Sequence, residues 1–311
     1  MKRYTRHAAV VVALAITAGI GLSNRGAVIS AARTVLDARW IVLPALALFL
    51  VWNQVASLAW RDLARATSDG RDPPSPWRLA LLRFQGQALN LLVPAAGEVA
   101  RAAGMENSRG RISIVLDLAS CAVAEAAFAV SAILVHPTLR PRHAPGVAAL
   151  LLLTGGIAAA WAWLPALAAP LASRFAVLAP LRLDVQPAFR RAVGWHLLEC
   201  VLGAGEVWLF SAGLGLSLPL LSIYFAAAAV RTGTTIVSFI PGQIGVAEGS
   251  LVWAMTSLGH PASVGLALAF ARRARQFVVI AVGTLSLLAG AARNVRLKGG
   301  LEHANSVHPA G

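Results

Sequence analysis

Two short polar breaks interrupt otherwise apolar stretches of this chain, and they read as one pattern written twice. The first runs from Asn90 through Pro94, Gly97 and Glu98 to Arg101. The second runs from Ser238 through Pro241, Gly242 and Gly245 to Glu248. An Arg and a Gly precede each break, Arg83 and Gly86 in one and Arg231 and Gly233 in the other, and the Gly-to-Pro distance is eight residues in both. Pro removes a backbone donor and clashes with the preceding helical turn, while Gly accepts almost any backbone angle. At membrane depth such a break leaves N–H and C=O groups unpaired unless they line a cavity or lie buried against protein. Paired breaks in the two halves of a polytopic chain therefore point to a transport site. Each predicts a helical hairpin, at roughly 79–104 and 219–258.

Composition places the rest of the chain in a membrane. It is 58% hydrophobic and 13% charged, against about 25% charged in soluble proteins. Several apolar runs reach the ~20 residues that a spanning helix needs. The longest polar stretches, roughly 61–78 and 293–311, are too short for a separate soluble domain, so residues 1–311 read as one membrane domain. The expected fold is all-α and polytopic. Six spans fall at roughly 7–23, 40–60, 112–135, 146–169, 194–216 and 262–290, with the two broken hairpins between them. Lys2, Arg3 and Arg6 ahead of the apolar run Ala8–Leu22 resemble a signal peptide. No clear small-x-small cleavage site precedes Asn24, and the run is read as an uncleaved first span. Segment 24–39 reads as interfacial, and 291–311 as a cytoplasmic tail.

A net charge of +14 raises the possibility of nucleic-acid binding, but the basic residues gather in short loops between apolar runs. With the N-terminus in the cytoplasm and both hairpins returning to the side they leave, 18 Lys and Arg lie on the inner side and 5 on the outer. That bias is the positive-inside pattern and places both termini in the cytoplasm. It also makes the first hairpin enter from the cytoplasm and the second from outside, as an inverted repeat would.

Several charges fall inside apolar segments: Asp117, Glu125, Glu199, Glu206, Glu248, and Arg231, Arg272, Arg273 and Arg275. A charge at the bilayer centre costs about 2.5–3.5 kcal/mol on insertion scales, so each must face a partner, a cavity or water. Glu199 and Glu206 share one helix face, together with His196 and Gly203. Arg272 and Arg275 share a face of the last span, and Arg273 turns about 100° away. Pairs of these residues could simply join helices. His196 reads as a wetted histidine near a span end, and Gly203 and Gly205 as close-packing positions. Half-helix N-termini offer free N–H groups, and with Arg231 and Arg272–Arg275 they would suit an anionic headgroup such as a phosphate. The candidate path residues are Asn90, Pro94, Gly97, Glu98, Arg101, Glu199, Glu206, Arg231, Pro241, Gly242, Gly245, Glu248, Arg272 and Arg275.

Enzyme motifs are not found: no GxSxG, HExxH, CxxC, P-loop or dinucleotide fingerprint. Cys121 and Cys200 both lie in apolar spans and read as small buried thiols. No metal or cofactor is expected.

The residues Asn90-x3-Pro94-x2-Gly97-Glu98-x2-Arg101 and Ile240-Pro241-Gly242-x2-Gly245-Val-x-Glu248, with Leu258-Gly259 and Arg272-Arg273-x-Arg275, resemble the flippase-like transmembrane domain of lysylphosphatidylglycerol synthases. The likeness covers about residues 40–290. Segment Gly203-Ala-Gly-Glu206-Val-Trp208-Leu is similar to a shorter, hopanoid-locus membrane subgroup. Full-length synthases of the family add a cytosolic domain that transfers an aminoacyl group from tRNA to lipid. The chain ends some twenty residues past its last expected span, so the resemblance implies the lipid-translocating part without that transfer. The function implied is a lipid flippase, or a lipid-transport-associated protein of the cytoplasmic membrane, handling an anionic or polyprenyl/hopanoid-type lipid without an ATP site. Its partners would be membrane lipids and a lipid-synthesis enzyme. A non-transporting scaffold for a lipid-modifying enzyme, or a membrane-embedded enzyme using paired carboxylates, are the alternatives from other classes.

Overall fold

A computed structural model describes Arg33 and residues 39–68, 72–92, 96–105, 108–136, 185–236, 243 and 245–307. The regular elements among the described residues are all helices, with no strand. A short 3-10 turn, Arg39–Ile41, leads into α1 (Val42–Thr67). Then follow α2 (Pro76–Leu92), α3 (Ala96–Ala103), α4 (Ser108–Val135) and α5 (Gln186–Gly213). The last three are α6 (Leu220–Ile236), α7 (Val246–Ser257) and α8 (Ala262–Val307). The expected spans at 7–23 and 146–169 lie outside the described residues, as do Pro94, Pro241 and Gly242.

Within α1, α4 and α5 the segments Leu43–Thr67, Arg111–Val135 and Gln186–Gly213 are long and apolar enough to cross a bilayer. They correspond to the expected spans at 40–60, 112–135 and 194–216. Helix α5 starts earlier than expected, with Pro187 in its first turn, where the missing N–H has no intrahelical partner to lose. Helix α8 starts where expected but continues unbroken beyond residue 290, so the segment read as a tail is helical as far as Val307.

Helix α2 ends at Leu92 and α3 starts at Ala96, α6 ends at Ile236 and α7 starts at Val246, and in each pair the second helix packs back against the first. Helix α3 lies against α2 so closely that a Cβ on Gly97 would run into the Gly86 carbonyl oxygen. Helix α7 lies against α6, where a Cβ on Gly233 would collide with the Ser250 hydroxyl. The orphan N–H groups that open each second half-helix need acceptors. Asn90 Oδ1 accepts the Gly97 N–H at 2.7 Å, and Glu248 Oε2 accepts the Gly245 N–H at 2.9 Å. Gly245 has φ +82°, a left-handed conformation that glycine adopts without steric cost.

Packing between the helices depends on small residues and close contact, since lipid tails are as apolar as leucine. Ala226, Ala227 and Ala228 of α6 and Ala267, Ala269 and Ala271 of α8 are all buried, in one core with Phe128, Phe210, Leu251 and Met255. A smaller cluster of Leu63, Leu116 and Ala192 joins α1, α4 and α5. Leu43, Val115, Trp208, Leu220 and Phe277 face outward, as lipid-facing positions do. The first core welds the second hairpin to α4, α5 and α8, and its polar edge is where the buried charges meet.

Candidate functional site

Arg83 on α2 and Arg101 on α3 converge on one carboxylate. Arg83 Nη1 donates to Asp117 Oδ2 at 2.8 Å and also to the Ala56 carbonyl. Arg101 Nη2 donates to the same Oδ2 at 2.5 Å, and its Nη1 to Glu98 Oε2 at 2.9 Å. The Arg101 guanidinium also lies 4.3 Å from the centroid of the Trp60 ring. Asp117, buried on α4, therefore holds both arms of the first hairpin.

The other Asp117 oxygen leads to the second hairpin. Oδ1 lies 3.1 Å from His196 Nε2, and His196 Nδ1 lies 2.7 Å from Glu199 Oε2. Glu199 Oε1 accepts the Trp52 indole N–H at 2.5 Å and faces Arg231 Nη1 at 3.5 Å. Arg231 Nη2 donates to the Glu199 carbonyl at 3.0 Å, and Nη1 reaches Glu125 Oε1 at 3.3 Å. Thr235 donates to the other Glu125 oxygen. The Arg231 guanidinium stacks 4.6 Å from the Trp52 ring centroid. Gly203 makes room for it, because a Cβ there would lie 2.9 Å from Arg231 Nε and Nη2.

The last helix brings three arginines with different commitments. Arg273 Nε donates to Glu248 Oε1 at 2.6 Å and Nη2 to the Gln243 carbonyl at 2.9 Å, which ties α8 to the start of α7. Arg275 Nε sits 2.6 Å from Glu206 Oε1, outside hydrogen-bond alignment, and its aligned bond runs from Nη2 to Oε2 at 3.4 Å. Its guanidinium stacks on Phe49 and Trp52. Arg272 has no hydrogen bond or ion pair among the described residues.

These groups enclose a cavity of about 340 Å³. Six arginines line it (Arg83, Arg101, Arg231, Arg272, Arg273 and Arg275) against three glutamates (Glu98, Glu125 and Glu199). Asp117, Glu206 and Glu248 hold arginines from behind the wall. The cavity surface is thus richer in guanidinium than the network as a whole.

Of the expected path residues, Asn90, Glu98, Arg101, Glu199, Arg231, Arg272 and Arg275 line this one cavity. Gly97, Gly245, Glu206 and Glu248 stand beside it in supporting positions: a close helix contact, a helix start and two ion pairs. Arg273, expected to turn away from Arg272 and Arg275, lines the same cavity. His196, expected to be wetted at a span end, is instead fully buried between two carboxylates. The early start of α5 explains this, since it places His196 ten residues inside the helix. Asp117, Arg83 and Trp52 complete the network and were not among the expected path residues. Asp117 reads from the sequence as a charge in an apolar span that needs a partner, and Trp52 could have been found as a polar N–H in such a span.

Cys121, His196 and Glu199 present ligand-type atoms within 4.8 Å of one another. Both ring nitrogens of His196 already face carboxylate oxygens, so this donor set is spent on internal bonds and does not fit a resident metal.

The fold and site define a helical membrane protein with two folded-back hairpins around a guanidinium-lined cavity. The family model for the lysylphosphatidylglycerol synthase TM region matches residues 6–283, and the chain belongs to that family. It is therefore a membrane protein concerned with lipids. No curated protein and no solved structure gives a significant match.

Proposed function

We propose that the protein moves lipids from one leaflet to the other, passing an anionic headgroup through the arginine-lined cavity while the acyl chains stay in the bilayer. One observation carries this reading: six arginines and three glutamates face a single cavity inside the membrane domain. Guanidinium forks match phosphate oxygens in pairs. The two hairpins are read as re-entrant from opposite sides, so that their broken tips meet the headgroup near mid-depth. The protein resides in the cytoplasmic membrane with both termini in the cytoplasm, and its partners are membrane lipids. No catalytic step belongs to this reading, because Glu199 and Glu206, the carboxylates an embedded enzyme would use, are held in pairs with Arg231, His196 and Arg275.

Reconstitution into vesicles that carry a fluorescent phosphatidylglycerol, with dithionite added outside, tests it. Bleaching beyond the outer-leaflet fraction is expected, faster than in empty vesicles and slowed by Arg272→Ala. Bleaching identical to that of empty vesicles would overturn the reading.

A further inference from the structure

We propose that His196 binds a proton that travels with the lipid, so that the cavity carries an anionic headgroup and a proton together. The inference rests on the headgroup reading above and adds the co-transported ion.

Proton counting in the buried network motivates it. His196 Nδ1 lies 2.7 Å from Glu199 Oε2, and Nε2 lies 3.1 Å from Asp117 Oδ1. An ionised carboxylate only accepts, and a neutral imidazole has one N–H to give. Two such contacts need two protons. The trio therefore holds one proton more than a neutral histidine and two carboxylates supply, and histidine is the member that exchanges protons near neutral pH.

The surrounding charges decide how that proton responds to a ligand. Helix α4 presents Asp117, Cys121 and Glu125 to this region. Helix α6 presents Arg231, and through Asp117 the arms α2 and α3 contribute Arg83 and Arg101. Helix α1 turns the non-titrating Trp52 to Glu199, while its Asp62 meets Trp195 and Arg191 instead. Helix α8 meets α5 at Glu206 through Arg275, about two turns beyond Glu199. Arg231 and the His196 proton thus share Glu199 as a counter-charge.

When Arg231 turns to a phosphate, Glu199 loses one of its two positive partners and holds the His196 proton more tightly. When the headgroup leaves, Arg231 returns to Glu199 and weakens that hold. Headgroup and proton favour each other's binding, and linkage makes the effect reciprocal. At a pH where the unliganded trio has given up its extra proton, one proton enters His196 as the headgroup docks and leaves as it departs, so net charge movement per anionic lipid is reduced.

The test is the affinity of purified protein in nanodiscs for dihexanoyl-phosphatidylglycerol, measured calorimetrically from pH 6 to pH 9 in HEPES and in Tris. The probe's phosphodiester does not titrate in that range. Wild type should bind more weakly as pH rises, approaching about tenfold per unit over part of the range for one linked proton. The two buffers should then give different heats, reporting proton uptake. His196→Gln, checked for a normal melting curve, should bind with a flat profile. Glu125→Gln and Cys121→Ser should keep the slope, whatever they do to affinity. A flat wild-type profile with equal heats in both buffers would overturn the coupling and leave the headgroup reading standing. Loss of the slope in Glu125→Gln or Cys121→Ser would also overturn the assignment to His196. No binding of the probe at any pH would sink the headgroup reading and the coupling with it.

Discussion

Asp117 takes two guanidinium donors on one oxygen and meets His196 with the other, and Arg272 has no ion-pair partner among the described residues; those opposite situations predict opposite phenotypes. Removing the charge at Asp117 leaves Arg83 and Arg101 buried without it, and breaking a buried pair from one side costs about 3–5 kcal/mol. Asp117→Asn should therefore lower the melting temperature in detergent far more than Glu98→Gln, whose partly exposed pair with Arg101 is worth about 1 kcal/mol or less. Equal shifts would refute the shared anchor. Arg272→Ala should leave melting nearly unchanged and slow lipid movement. Arg275→Ala should lower melting, because it abandons Glu206 and the stack on Phe49 and Trp52. If Arg272→Ala unfolds the protein and Arg275→Ala does not, the division between ligand-facing and structural arginines is wrong.

At the scale of the element, the hairpins depend on two backbones touching. A Cβ on Gly97 would meet the Gly86 carbonyl, a backbone group that cannot swing aside, whereas a Cβ on Gly249 in α7 meets nothing within 4 Å. Overpacking of this kind costs about 1–3 kcal/mol. Gly97→Ala should lower the melting temperature measurably and Gly249→Ala should not, and matching melts would show that α2 and α3 do not approach so closely. The breaks themselves were legible because Pro and Gly act locally, within a turn of where they stand. The shared face of Glu199 and Glu206 was legible from helical period, and both side chains are buried. Which cation each glutamate meets was not legible. Glu199 finds Arg231 and His196, and Glu206 finds Arg275, and that choice is made by helix packing rather than spacing. The error at His196 came from an element boundary. The span was expected to begin at about residue 194, yet α5 begins at Gln186 and carries the exposed Arg190 and Arg191 on its early turns.

For the whole molecule, the cavity changes how charge should be counted. The 18 inner-side basic residues include Arg83 and Arg101 of the first hairpin, but both are internal ion-pair partners of Asp117 and carry no topological information. Setting them aside leaves 16 basic residues inside against 5 outside, so the orientation argument survives the correction. Arg61 and Arg65 sit on the last turns of α1 and Arg78 on the first turn of α2, so these three charges cluster at the ends of two helices joined by a short connection. That orientation matters for function. In the proposed orientation the first hairpin would enter from the cytoplasmic face and the second from the outer face, and an arginine from each meets a carboxylate beside His196. Single-cysteine labelling with a membrane-impermeant maleimide tests it in a Cys121→Ser/Cys200→Ala background that still inserts. Gly70→Cys should react only after the cells are opened, and Arg140→Cys should react in intact cells. Labelling of position 70 from outside would invert the layout. The second hairpin would then open to the cytoplasm and the first to the outside, and the access order of the two hairpins to the cavity would be exchanged.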